Sequence, residues 1–305
     1  MKKFSKICLI IVAVLGGMGL LLGGISALLG GGFGAIRRMA ERGELDAGNW
    51  HIRPYELYYS SDEEDTDDDA KVYTYEAAGI KNLDIDIDAA EIYVKQGTDD
   101  KNLVVRTYGC KEKYYKGDMN KDTLQIQYEI HKQFPDNYDA QIVIEIPEKM
   151  TFDTMDFDIG AADADFASGS VNCRTMELNV GAGELTGADF AVTGTLDIKL
   201  GAGDIDLEGG TYKDIKLDCG MGSFALDGIV AENVKAHCGM GDGSITLRGR
   251  EEDYNYKMSC GMGDLTVNGE SYSDLSGSYK VTNAGAVGTI DLDCGMGSID
   301  FDIES

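Results

Sequence analysis

Proline, histidine and basic residues are all scarce in this chain, and each scarcity excludes something. The sequence carries 3 Pro against 40 Gly. Glycine without proline, spread through alternating apolar segments, points to tight turns between strands rather than to a disordered linker. The 3 His, at positions 51, 131 and 237, form no zinc-protease motif and no local Cys-His arrangement. Lys and Arg number 27 against 54 Asp and Glu, a formal charge of −27. That balance argues against a nucleic-acid partner, because phosphate binding needs clustered cations. Cations and basic surfaces are the partners it favours, and the charge also keeps a repetitive β surface soluble. The 7 Cys are odd in number and show no close pairs, unlike a secreted disulfide framework. Either the compartment is not strongly oxidising or the thiols are buried.

Charge is absent altogether from one stretch. After "MKKFSK", with Lys2, Lys3 and Lys6, no charged residue occurs until Arg37. A helix over 7–29 would reach roughly 34 Å, enough to cross the hydrocarbon core. A cleaved signal peptide ending at Ala27 is the rival, but the apolar run continues past it. The reading is a single-pass signal-anchor helix over 7–30 in the cell membrane. Residues 1–6 are then cytoplasmic and the bulk of the chain extracytoplasmic. Arg37, Arg38 and Arg42 nearly balance the basic flanks. Residues 31–71 read as an acidic juxtamembrane linker. Its run "SSDEEDTDDDA" lacks the Gly turn and terminal Glu of a calcium loop and behaves as a solvated spacer.

Beyond it the pattern has period two. "LDIDIDAAEIYV", "TLQIQYEI" and "AQIVIEIP" alternate apolar and polar residues as half-buried strands do. They make residues 72–154 an irregular N-terminal β region. Residues 155–305 are openly repetitive. Gly-centred corners recur at Gly160, Gly181/Gly183, Gly201/Gly203, Gly220/Gly222, Gly239/Gly241, Gly261/Gly263 and Gly295/Gly297, mostly about 20 residues apart. The last gap is 34 residues and holds a long loop or an additional irregular coil. The expected fold is all-β: a single-stranded parallel β-solenoid of ~20-residue coils stacked on a shared core. Inward positions before each corner are apolar or Cys, such as Leu196/Ile198/Leu200 and Ile215/Leu217/Cys219. The residues between them face outward, such as Asp197/Lys199, Lys216/Asp218, Lys235/His237, Lys257/Ser259 and Asp291/Asp293. After the corner the inward set resumes at Ile205, Phe224, Leu265 and Ile299.

"IKNLDIDIDAAEIYVKQG", "IEIPEKMTFDTMDFDIGAADADF", "LNVGAGELTG" and "IKLGAGDIDLEG" resemble the bacterial putative-adhesin family of β-strand-repeat proteins, over about residues 72–305. The resemblance implies a membrane-anchored β-repeat protein of the cell envelope, in an adhesion or stress-related role. It implies no catalytic residues. A departure is the Cys-Gly-Met-Gly version of the corner.

That corner, present four times, raises the question of chemistry. Cys219, Cys238, Cys260 and Cys294 come one per coil, so they form a line at the ~4.8 Å strand spacing. A line cannot surround a tetrahedral zinc ion, and parallel Cβ vectors would strain a disulfide. The thiols are expected as a buried ladder of small hydrophobes. Met221, Met240, Met262 and Met296 replace Ala161, Ala182 and Ala202. Continued alternation would turn them inward, as packing beside Cys rather than a copper(I) stack. "GAGDIDLEGG" differs from the calcium-binding nonapeptide repeat in both phase and period, which leaves only weak cation binding to outer carboxylate rows. No cofactor is implied. The expectation is a non-enzymatic interaction, adhesion or stress-related module with an unknown protein or envelope polymer as partner. The alternatives are a solenoid carbohydrate-active enzyme using loop carboxylates such as Glu270 and Asp274, and a calcium-responsive surface binder.

Overall fold

The structure, a computed structural model, describes residues 50–53, 56–59, 70–129, 140–272 and 277–304. The chain divides into two compact units, 1–69 and 70–305. In the first, β1 (Trp50–Arg53) pairs antiparallel with β2 (Glu56–Tyr59). The expected anchor over 7–30 and the acidic run at 60–69 lie outside the described residues. Among those described, no helix is long and apolar enough to cross a membrane.

The second unit is all-β and built of two-armed rungs. A strand leads to a corner, turns, and continues as a second strand. The alternation dictates this, because only one face of each arm is apolar and the two faces bury each other. β4 (Asn82–Ile87) and β5 (Glu91–Gly97) are the arms of one rung. β8 (Thr123–Tyr128) and β9 (Gln141–Pro147) form the next rung outward, each pairing parallel with its counterpart. On the other side of β4 and β5 come β10 (Phe152–Ala161) and β11 (Ala164–Phe166). Then follow β12 (Asn172–Ala188), β13 (Ala191–Glu208) and the doubly coiled β14 (Thr211–Arg248), all in parallel register. The core runs between the arms and includes an edge-to-face series, Phe157–Phe166–Phe190, with centroids 5.1 and 5.5 Å apart.

Two features depart from a purely parallel, sequentially stacked solenoid. Antiparallel strands flank the stack. β7 (Tyr115–Asn120) lies on β8, β6 (Asn102–Tyr108) on β9, and β3 (Lys71–Glu76) on β6. At the other end β16 (Glu270–Ser271) and β17 (Gly277–Val281) lie antiparallel on β15 (Tyr254–Val267). Rung order also departs from chain order. The C-terminal β18 (Gly288–Glu304) inserts between the second coil of β14 and β15, in parallel register with both. The 34-residue gap is the excursion that makes this possible. The chain leaves β15, runs back along its edge as β17, and re-enters on its other side.

Candidate functional site: a mixed-charge groove and the corners beside it

The corners are set by backbone contact. Gly203 has φ +135° and Gly222 +133°, a region L side chains rarely adopt, and a Cβ on either would overlap the carbonyl oxygen of the second glycine one rung before. The first glycines stack equally closely: a Cβ on Gly220 would lie 2.6 Å from the Gly201 oxygen, on Gly239 2.6 Å from that of Gly220, on Gly295 2.6 Å from that of Gly239, and on Gly261 2.8 Å from that of Gly295. Gly181, Gly183, Gly241, Gly263 and Gly297 meet a carbonyl oxygen of the neighbouring rung in the same way.

Just past the corner, carboxylates tie rung to rung. Asp163 Oδ1 accepts the Glu184 amide at 2.9 Å, and Asp204 Oδ1 accepts the amide of Ser223 at 3.1 Å together with its hydroxyl. Asp242 Oδ1 does the same for Ser298, at 2.9 Å from the amide nitrogen and 2.5 Å from the hydroxyl. These acids are hydrogen-bond acceptors for the stack.

Cys219, Cys238, Cys260 and Cys294 are all free and at most 1% exposed. Because of the β18 insertion they stand in the order 219, 238, 294, 260. Burial pushes the Cys219 and Cys294 thiols up to about 12 and raises those of Cys238 and Cys260. Cys260 Sγ lies 3.3 Å from the Gly297 carbonyl and Cys294 Sγ 3.7 Å from that of Gly241. Burial thus favours the protonated thiol at all four.

The methionines correct the sequence reading. Met221, Met240, Met262 and Met296 point outward, 51%, 43%, 65% and 42% exposed. The inward positions on either side of the corner are five residues apart: Leu200 and Ile205, Cys219 and Phe224, Cys260 and Leu265, Cys294 and Ile299. An odd spacing shifts a period-two pattern by one residue, so the residue between the glycines turns to solvent. Of the loop carboxylates named for a glycan-cleaving alternative, Glu270 is exposed on β16, and Asp274 lies outside the described residues. Among the described residues no three His, Cys, Asp or Glu side chains are grouped to hold a metal ion.

What topology does gather is a groove of about 620 Å³ over the outer face of the pre-corner arms. Parallel register lines up the side chains of this face in two rows. The first reads Asp197, Lys216, Lys235, Asp291, Lys257 and the second Lys199, Asp218, His237, Asp293, Ser259. Lys257 Nζ reaches both Asp291 oxygens, at 3.0 and 3.1 Å. Asp293 is held between His237 Nδ1 at 3.1 Å and the Ser259 hydroxyl at 2.6 Å. Lys216 stands 4.0 Å from Asp197, and Lys199 donates to Asn179 at 3.3 Å. The 19-residue offset that seats Gly239 on Gly220 also seats Lys235 on Lys216 with no acid between them. Farther along the same face the rows lose their cations: one runs through Glu177, Asp156 and Asp84, the other through Asn179, Asp158 and Asp86. There burial, then neighbouring carboxylates, raises the Asp86 and Asp156 carboxyl groups. In a chain of net charge −27, four lysines and a histidine thus share one concavity. Sequence reading had them only as outward strand residues, because β18 brings Asp291 and Asp293 between Lys235 and Lys257 only in three dimensions.

The sequence matches the Toastrack DUF4097 family over residues 80–292. The chain belongs to that family. None of the curated proteins matches it. Among solved structures it is similar to a putative adhesin from Bacteroides fragilis, at 17% identity and TM-score 0.47, covering 76% of this chain and 96% of that one. It is also similar to a putative cell adhesion protein from Clostridium sporogenes, at 12% identity and TM-score 0.40, covering 77% and 99%. A putative lipid binding protein from Parabacteroides distasonis gives 12% identity and TM-score 0.40, covering 78% and 98%. This Toastrack chain differs from its own earlier rungs in placing Met where they place Ala.

Proposed function

We propose that this Toastrack protein is a non-enzymatic, extracytoplasmic interaction module of the cell envelope, held to the membrane by residues 7–30, with the mixed-charge groove as its binding surface. The observation that carries the reading is the row Lys216–Lys235, two exposed lysines seated on adjacent rungs with no acid between them, in a chain of net charge −27. A linear envelope polymer bearing repeated anionic groups fits it: lysines attract the anions, while the flanking carboxylates accept hydroxyl hydrogen bonds. The acidic remainder of the face repels such a polymer and confines it to the groove. A glycan-cleaving reading would need one carboxyl kept protonated as general acid and a second poised opposite. Asp291 and Asp293 instead face a lysine, a histidine and a hydroxyl on neighbouring strands, an arrangement suited to binding.

The test combines the full chain with poly(glycerol phosphate) and with neutral dextran in a co-sedimentation assay, together with a reducing-end assay on charged and uncharged glycans. Binding to the anionic polymer alone, with no new reducing ends, is the expected result. Equal retention of dextran, or release of reducing ends that Asp291→Asn abolishes, would overturn it.

A further inference from the structure

The methionine edge is independent of the groove and of its ligand. Its four side chains are among the few large apolar groups exposed on the described surface. They also fall in one line. Met240 registers with Met296, and Met296 with Met262. Met221 precedes Met240 at the offset that stacks Gly239 on Gly220. The slot itself requires no large side chain, since Ala161, Ala182 and Ala202 occupy it in register on the preceding rungs. Methionine here therefore neither fills a core nor props a corner.

We propose that Met221, Met240, Met296 and Met262 form a binding edge for a soft monovalent metal ion, Cu(I) or Ag(I), taken between thioethers of neighbouring rungs. Rungs repeat at about 4.8 Å. Two metal–sulfur bonds of about 2.3 Å, the zinc–thiolate length, laid end to end span nearly that distance. Soft ions select thioether over oxygen donors. Of the carboxylates near the edge, Asp242 is engaged by Ser298, and Asp293 by His237 and Ser259, while Asp264 beside Met262 is exposed. Their negative charge still draws a cation towards the sulfurs. The thiols behind the corner are at most 1% exposed, which keeps them out of reach of an ion at the edge. No electron is transferred; the ion binds in the oxidation state in which it arrives.

The experiment titrates the full-length protein anaerobically with Cu(I) against a chromophoric chelator. In parallel, Ag(I) is added to protein carrying 13C-methyl methionine and followed by NMR. The account expects at least one equivalent of Cu(I) withheld from the chelator. Ag(I) should shift the methyl resonances of the four edge residues while that of Met119, exposed but away from the line, stays in place. The quadruple variant M221L/M240L/M262L/M296L keeps the apolar area, removes the sulfur, and should bind at least 100-fold more weakly. Unchanged affinity in that variant would overturn the proposal. So would unmoved edge methyls in the wild type, a readout that needs no variant to fold.

Discussion

Gly203 is where one atom decides the most. Its positive φ and its approach to the Gly183 oxygen leave no room for a Cβ, so Gly203→Val must move two rungs apart at the corner. A loss of more than ~3 kcal/mol is expected by chemical denaturation. Gly269 is the control: its φ is +75° but nothing lies within 4 Å of its Cβ position, so Gly269→Ala should cost only about 1 kcal/mol. Equal effects at the two sites would mean that strain, not stacking, sets the corner. The thiols offer a second residue-scale prediction. Burial pushes the Cys219 and Cys294 thiols from the ordinary 9.0 up to about 12 in the folded chain. Below pH 9 these thiols are protonated in the folded and unfolded chain alike, and stability is lost as pH climbs from 9 towards 12, where only the unfolded chain ionises. Native-state labelling at pH 8 should leave all four ladder thiols unreacted until denaturant is added. Rapid labelling of Cys238 would place it at the surface. The corners and their inward cysteines were legible from Gly spacing and alternation, because both are local. The methionine direction was legible too, in the five-residue step from Cys219 to Phe224. Carrying strict alternation through a corner obscured it.

At the scale of elements, the insertion of β18 is the least local fact in the molecule. Alternation says which face of a strand is buried, never which neighbour it pairs with. β18 and β15 carry the same Cys-Gly-Met-Gly corner and would suit either slot. The choice is made by β17, which covers the outer edge of the β15 pre-corner arm and leaves only the inner edge free. Hydrogen exchange checks this directly. The amides of the C-terminal β18, paired on both sides, should exchange as slowly as those of β14, whereas β16 and β17 at the edge should open first. Faster exchange in β18 than in β15 would restore sequential stacking. The antiparallel strands at each end were not legible as such, since period-two patterning is the same in both orientations. They cap the open rungs that would otherwise pair with other chains.

For the whole molecule, the distribution of charge matters more than its sum. A net −27 by itself describes an acidic surface, and composition could not reveal a cluster of lysines assembled from three strands. With the bulk of the chain proposed as extracytoplasmic, protease shaving of intact cells should remove the Toastrack domain and leave cytoplasmic markers whole. Full protection from protease would place it inside. The central claim, that the groove is the working surface, is tested most directly by the Kd of the full chain for poly(glycerol phosphate) across a salt series. The paired variant Lys216→Gln/Lys235→Gln is compared with Lys280→Gln, a lysine on β17 outside the groove. Both groove lysines are exposed on the strand face, so the variant should fold unchanged. The account predicts binding that weakens with salt, is at least about tenfold weaker in the groove variant, and is unaltered by Lys280→Gln. Salt-independent binding, or equal loss from both variants, would contradict it.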